Sequence, residues 1–560
     1  MFGNSTFPCR SIRFAVSISS ANDEIYIDYA HGKPYKECEN ISLSSSSIEL
    51  NKSISFFGIN GGKAVIQCKR HCDLFKIESP TLRKTRIIFV NLVFTRSRVV
   101  LRCSKTNFEL AFKHCIIKDV NSAINVKGST NCSIQLFNSS FEGNRISIKC
   151  INLTAHFVST SFFANPVIIR SITANQYKRF QTVAVYIFNC TFDGKRKQFT
   201  SGLLQIKPDA SILNITVCLS TFSNHQLISS NVDMNPTFSI FDNGFNRPKA
   251  ASITLSKLLV ENNNNKQPAI ELTLKREIPY EVQLLDSVFR NNTGALKLYL
   301  KYPAPNRSRT YYKAPITLLS NITFLQNFKL KQQEYGTINL LKGRFRLESC
   351  RFIDNTAGNN ENSALVIIAD LVEVTFLNCY YENSQTDTKA ITVYSNPNSR
   401  VYFRGNNTFN LNALKTEQAI FIHMPPFVLD SFRVYLIGYR SLGIFCPRGY
   451  DLNGEIQCKG SSNTIECSYL YYSCRQCPRK TYSLNRGKLR NNTIEKVQCL
   501  KCPRGGQCEN GKVTAKPDFW GYKDKGKVSF LACPPGYCCD KESCASYDGC
   551  NGNRSGILCG

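Results

Sequence analysis

Apolar and polar residues alternate over short stretches of this chain, and the alternation breaks at asparagine-rich bends. The run "FRLESCRFIDNTAGNNENSALVII" (345–368) shows the pattern: alternation to Phe352, a bend, then an apolar climb through Ala364-Leu365-Val366-Ile367-Ile368. Period-two alternation predicts half-buried strands, and the repeats lack the 3.6-residue period of a helix. The apolar residue ahead of the bend recurs as Phe141, Phe162, Phe192, Phe222, Phe245, Val260, Phe289, Phe324, Phe352, Tyr381 and Phe409, at spacings from 15 to 35 residues. A second strand with an Ala lead-in follows many bends: "GALKLYL" from Gly294, "SALVII" from Ser363, "KAITVY" from Lys389, "QAIFIH" from Gln418 and "PAIELT" from Pro268. One repeat therefore reads strand, turn, strand, loop.

A propeller blade needs four strands in about forty residues and a leucine-rich repeat needs its Leu/Asn signature; neither fits. The pattern predicts an all-β chain, a right-handed parallel β-helix solenoid over residues 21–430, with 1–20 as its edge or cap. A β-sandwich is the competing arrangement. A single coil cannot bury its apolar face, so stacking is expected to align one position of each coil into a core row. Phe141, Phe162, Phe192, Phe222, Phe289, Phe324, Phe352, Tyr381 and Phe409 are the expected row. Asn suits the bends because it tolerates the left-handed conformation, and stacked amides can hydrogen-bond from coil to coil.

At residue 431 the composition changes. Fourteen cysteines follow in a small span: Cys446, Cys458, Cys467, Cys474, Cys477, Cys499, Cys502, Cys508, Cys533, Cys538, Cys539, Cys544, Cys550 and Cys559. That density predicts a disulfide scaffold over 431–560. Cys474-x2-Cys477 and Cys499-x2-Cys502 also have nearly the spacing of a zinc ribbon. The crowd of further cysteines and the sequon at Asn491 between the pairs favour disulfides, so no metal is expected. Adjacent Cys538 and Cys539 are expected to enter different bridges, and Trp520 to belong to the small core. The other twelve cysteines precede residue 430, and both even counts suit regions that close their own bridges.

Asn-x-Ser/Thr occurs fourteen times; Asn138, Asn189, Asn214, Asn291, Asn321, Asn406 and Asn491 are the candidate glycosylation sites. With the cysteines, they predict an extracellular or cell-surface setting. Residues 1–20 contain no apolar signal segment, and no 18-residue apolar run follows. The chain is expected to be a fragment of a longer protein, attached to a membrane only through sequence outside these 560 residues. The charge is +30, from 70 Lys+Arg against 40 Asp+Glu, and is shared between the two regions. A solvated basic surface is the plain reading, and attraction to anionic glycans the sharper one. Nucleic acid is not expected, because no aromatic-plus-basic recognition motif accompanies the charge.

Catalytic signals are sparse. Asp286, Asp354, Glu261 and Glu382 stand singly in or beside turns, whereas a glycosidase needs two carboxylates at a set separation. His31, His71, His114, His156, His225 and His423 are isolated, without metal-ligand spacing. No catalytic residue, cofactor or metal ligand is assigned.

The chain resembles the right-handed parallel β-helix superfamily, to which pectate-lyase-like enzymes belong. More closely, its opening resembles polymorphic-outer-membrane-protein-like ectodomains of large animal surface proteins. The residues that carry this are the Cys9 segment, the "D-x-I-x-I" strand through Ile25 and Ile27, and a "G-x-N-G" turn at Gly58–Gly61. The later segment resembles an ephrin-receptor-like cysteine-rich repeat, through Cys477-Pro478, Thr481-Tyr482-Ser483, Gly487 and the Cys-Pro-x-Gly from Cys502. These likenesses imply a non-enzymatic ectodomain for adhesion, recognition or receptor-like binding of an extracellular protein or glycan. The alternative is a carbohydrate-active protein, a polysaccharide lyase or hydrolase.

Overall fold

The computed structural model describes residues 9 and 11–559, apart from 29–32, 38–46, 60–61, 69–71, 78–83, 105–106, 172–180, 196–197, 200–201, 209, 211, 228–235, 243–249, 265–266, 276–279, 301–314, 329–336, 357–363, 384–388, 396–399, 412–420, 424–434, 438–441, 460–465, 491–492, 540–543, 545 and 552–553; some strands are described by their backbone alone. The chain forms two compact units, Met1–Thr323 with Ile338–Phe345, and Phe324–Thr337 with Arg346–Gly560.

The first unit is a parallel β-helix with three sheets. A coil begins in sheet I (Phe108–Lys113), turns into a short strand of sheet II (Ile116–Lys118), and turns again into sheet III. Sheet III and the next turn of sheet I are often one bent strand. Ser122–Phe137 pairs through its first half with Val99–Ser104 and through its second with Phe108–Lys113. The register slips between Lys127 and Ser129, where the strand changes sheets. Three strands per coil replace the two read from sequence: here the bend is made by Gly128 at a left-handed φ, between two strands that alternate on either side of it.

The core row lies in sheet II. Ile117, Phe141, Phe162, Phe192, Phe222, Val260 and Phe289 are in register on successive coils, all buried. Phe162, Phe192 and Phe222 stack with centroids 4.6 and 4.8 Å apart, the coil spacing itself. Each buried ring contributes about 2–3 kcal/mol of apolar burial. The row passes directly from Phe222 to Val260, so Phe245, which lies outside the described residues, is not the intervening rung. Gly58, expected in a turn, lies instead within the strand Ile54–Ile59.

Two left-handed turns per coil make the corners. Between sheets I and II the positive-φ residue is His114, Asn138, Ser159, Asn189, Leu219, Lys257 or Asp286; between II and III it is Asp119, Gly143, Ala164, Asn224, Asn262 or Asn291. After the second corner comes a buried residue, Asn144, Asn165, His225, Asn263 or Asn292. Asn263 Nδ2 donates to Asn292 Oδ1 (2.8 Å) and to the Phe222 carbonyl (3.1 Å), which ties three coils together. His225 stands in this ladder as a satisfied core residue: its backbone N–H donates to Asn263 Oδ1 and its Nδ1 lies 3.1 Å from Thr237 Oγ1.

After most of the first corners the buried residue is small, Cys115, Ser139, Thr160, Cys190, Ser220 or Ser287, whereas Leu258 follows Lys257. Each of the small residues donates from its side chain to the carbonyl two residues back, as Ser220 Oγ does to Cys218 O (2.9 Å) and Cys190 Sγ to Phe188 O (3.4 Å). These cysteines therefore do a serine's work and do not bridge. Cys9, Cys72, Cys103, Cys115, Cys190, Cys218 and Cys379 are outside any disulfide, while Cys132–Cys150 is a disulfide and Cys68 is disulfide-bonded. The even cysteine count before residue 430 is thus not a count of bridges.

A helix that the sequence reading missed precedes the first coil. α1 (Ile12–Ile18) is capped by Ser11, whose side chain accepts from Phe14 N, and Glu37 accepts from Ile12 N (2.8 Å) and Arg13 N (3.2 Å). The carboxylate satisfies two of the N–H groups that a helix start leaves open. Ile12 and Val16 are buried, as the end of a solenoid requires of its cap.

In the second unit Phe324, Phe352, Tyr381 and Phe409 stack at 5.0, 4.7 and 4.2 Å. Asn327 Nδ2 donates to Asn355 Oδ1 at 2.9 Å, the same amide ladder. Parallel pairing continues past the boundary expected at residue 430, to Leu442–Phe445. Antiparallel hairpins then take over, beginning with Tyr450–Lys459 and Glu466–Gln476.

Candidate binding surface

Inward residues of sheet I fill the core, so its outward columns are what the first unit offers to solvent there. One in-register column reads Tyr26, Phe57, Val90, Lys113, Phe137, Val158, Phe188, Cys218. The next reads Ser55, Ile88, Ala111, Gln135, His156, Tyr186, Thr216. In a chain of charge +30, these columns carry one cation, Lys113, over those coils. Phe137 is 41% exposed and Phe188 47%, whereas the row phenylalanines are fully buried.

A shallow cavity of about 520 Å3 opens here, lined by Lys113, His114, Gln135, Leu136, Phe137, His156 and Val158. The His114 ring meets Phe137 edge-on with centroids 6.0 Å apart, and His156 lies 4.8 Å from Tyr186. Tyr186 Oη accepts from Asn214 Nδ2 at 3.1 Å. His114 and His156, isolated in sequence, thus share one surface, because two coils of stacking separate them. Flat aromatic faces beside amide, imidazole and ammonium donors can stack on a ring and hydrogen-bond its edge.

The acidic residues are placed apart. Asp354 and Asp286 hold left-handed corner positions, and Asp286 accepts from Asn321 Nδ2 at 2.8 Å. Glu261 pairs with Arg290, and Glu382 accepts from Tyr380 Oη at 2.8 Å. Among the described residues, no group of three His, Cys, Asp or Glu is gathered as a cation site. His31 and His71, and the side chain of His423, lie outside the described residues.

The sequons prove to follow the coil. Asn138, Asn189, Asn321 and Asn406 lie at the first corner, three residues before the row residues Phe141, Phe192, Phe324 and Phe409. Asn serves the left-handed φ at Asn138, Asn189 and Asn321, and Ser or Thr opens the short strand. The fold itself thus writes Asn-x-Ser/Thr-Phe, and the sequons are not independent evidence of glycosylation. Asn138, Asn189, Asn291, Asn321 and Asn406 are exposed, Asn214 is half-buried on the outer face of sheet I, and Asn491 lies outside the described residues.

In the cysteine-rich segment the bridges are Cys446–Cys474, Cys477–Cys499, Cys502–Cys508, Cys533–Cys538, Cys539–Cys544 and Cys550–Cys559. The four cysteines of the zinc-ribbon spacing enter three different disulfides, and Cys538 and Cys539 enter separate ones. Cys458 and Cys467 are opposed in the hairpin register; their side chains lie outside the description. Tyr482 forms a small core with Val513 and Val528, and its hydroxyl accepts from Val528 N at 2.7 Å. Gly487 is required by close approach: a Cβ there would lie 2.3 Å from Leu452 N. Trp520 packs on the cluster of Cys533, Cys538 and Cys559.

No family model matches this chain, and no curated protein matches it. Among solved structures, Geobacillus virus E2 ORF18 is similar at 10% identity over 93% of this chain and 82% of its own. The TM-score of 0.18 is too low for that likeness to bear on fold or function. The class supported by the chain's own geometry is a parallel β-helix with a C-terminal disulfide-rich segment. No helix among the described residues is long and apolar enough to cross a membrane.

Proposed function

We propose that this chain is a non-enzymatic extracellular recognition ectodomain, part of a larger membrane-attached protein, that binds a glycan or protein ligand on the outer face of sheet I. The observation that carries the reading is the aromatic shelf of exposed Phe137 and Phe188 and half-buried Tyr186 with His114 and His156, on two columns whose one cation is Lys113. Exposed aromatics gathered in one place favour a ligand with flat apolar faces and hydroxyl edges. The disulfides of the C-terminal segment support an oxidising compartment. The dispersed carboxylates support binding without turnover. Likeness to the animal surface ectodomains, with the ephrin-receptor-like repeat, agrees with adhesion or receptor-like binding.

The test is to incubate the purified chain with arrayed glycans, cell-surface proteins and a panel of acidic polysaccharides, following binding and chain length together. Retention of a ligand with its length unchanged is expected. Shortened or unsaturated polysaccharide products would overturn the reading in favour of a lyase or hydrolase.

A further inference from the structure

Sheet III carries an outward column of a different kind. Lys127, Lys149, Arg170 and Lys207 are in register on four successive coils, each directly opposite the next. Coils lie about 4.8 Å apart, so the four cations span about 14 Å in a straight line. Lys127, Lys149 and Arg170 are exposed and Lys207 is half-buried.

Like charges directly opposite on neighbouring strands repel, and this chain pairs its charges across coils elsewhere. Lys297 bonds Glu271 at 3.0 Å, Arg98 and Arg102 share Asp73 at 2.9 and 2.8 Å, and Lys84 bonds Glu109 at 2.8 Å. The four residues of the column have no carboxylate partner among the described residues. The adjoining outward column supplies none either: it reads Asn125, Ser147, Ile168 and Gln205. Gln205, 2% exposed and two residues before Lys207, has a side-chain amide nitrogen without an acceptor among the described residues. Beyond Lys207, Lys275 lies over the Phe241 ring at 5.4 Å and Lys342 over Tyr299 at 5.9 Å, so cations and rings continue along the sheet.

We infer that the Lys127–Lys149–Arg170–Lys207 column is a binding track for a linear anionic polysaccharide, sulfated or uronate-bearing. A line of evenly spaced cations is complementary to a chain with evenly spaced anions, and an acidic partner would remove the repulsion that the fold leaves in place. Lys207, whose pKa is held down by its burial and by Arg170, gains most from such a partner. The disulfides favour an extracellular glycan over a nucleic acid as the polyanion. The track is a second site, distinct from the aromatic shelf of sheet I.

The test measures binding of the full chain to immobilised heparin across a salt series. Lys149→Ala/Arg170→Ala should weaken it about tenfold and lower the log–log salt slope by about two. The control Lys523→Ala/Lys525→Ala removes the same net charge from exposed positions of the cysteine-rich segment and should change little. Equal losses in both variants would show that net charge alone is at work and would overturn the track. Duplex DNA bound as tightly as heparin, with the same loss in the ladder variant, would overturn the glycan assignment. Melting curves of both variants should match the parent's, and Phe137→Ser/Phe188→Ser should leave heparin binding intact, which separates this site from the sheet I surface.

Discussion

Tyr381 takes a phenylalanine's place in the core row, stacked 4.2 Å from Phe409, and its buried hydroxyl has no hydrogen-bond partner among the described residues. Burial pushes its pKa well above the ordinary tyrosine value. Tyr381→Phe is therefore expected to stabilise the chain by about 1 kcal/mol in denaturant unfolding, since it deletes an unsatisfied polar group; a loss would show that the hydroxyl is bonded after all. Truncating a ring of the same row, Phe192→Ala, should cost about 3–5 kcal/mol. The core thiols make a second residue-scale test. Burial pushes Cys115 from 9.0 up to about 12 and Cys190 up to about 11. Both should resist alkylation at pH 8 in the native chain and react once it unfolds. Because the folded values are raised, their contribution to stability is full below pH 9 and falls as pH rises towards 12. The row phenylalanines were legible because each precedes a bend. The thiols were misread, although Cys190-Thr-Phe aligns with Ser220-Thr-Phe and Ser139-Ser-Phe, which marks a serine-like position.

At the scale of the coil, corners and ladders determine what can be changed. Cys190→Ser should be nearly neutral in thermal melting, because serine already makes the same bond in Ser139, Ser220 and Ser287. Asn263→Ala removes bonds to Asn292 and to the Phe222 carbonyl and leaves buried groups unpaired, for about 1–3 kcal/mol. The same corners place sequons around the shelf: Asn138 and Asn189 directly follow Phe137 and Phe188, and Asn214 bonds Tyr186. An open binding face requires these three to be free of sugar, whereas Asn291 and Asn321, on later coils of the same unit, can carry it without covering the shelf. Glycopeptide mapping of the chain expressed through a secretory route checks this, and full occupancy at Asn138 and Asn214 would remove sheet I as a binding surface. The third strand of each coil and α1 were not legible. The first is often one continuous strand with its neighbour, as in Ile146–Val158, and the second, seven residues long, is stabilised by Glu37 from a distant part of the chain.

For the whole molecule, the sequence showed stacked coils and a cysteine-rich end because both are repetitive signals. It did not show the aromatic shelf, since its residues lie one to three coils apart and meet only through the register of parallel strands. The basic column was hidden for the same reason: Lys127, Lys149, Arg170 and Lys207 are scattered single charges until stacking aligns them. The most direct check of the recognition role is to take a ligand retained from the glycan and surface-protein arrays and measure its affinity for the parent chain and for Phe137→Ser/Phe188→Ser. The account predicts that the double variant folds normally and binds about tenfold more weakly or worse. Undiminished affinity would contradict it.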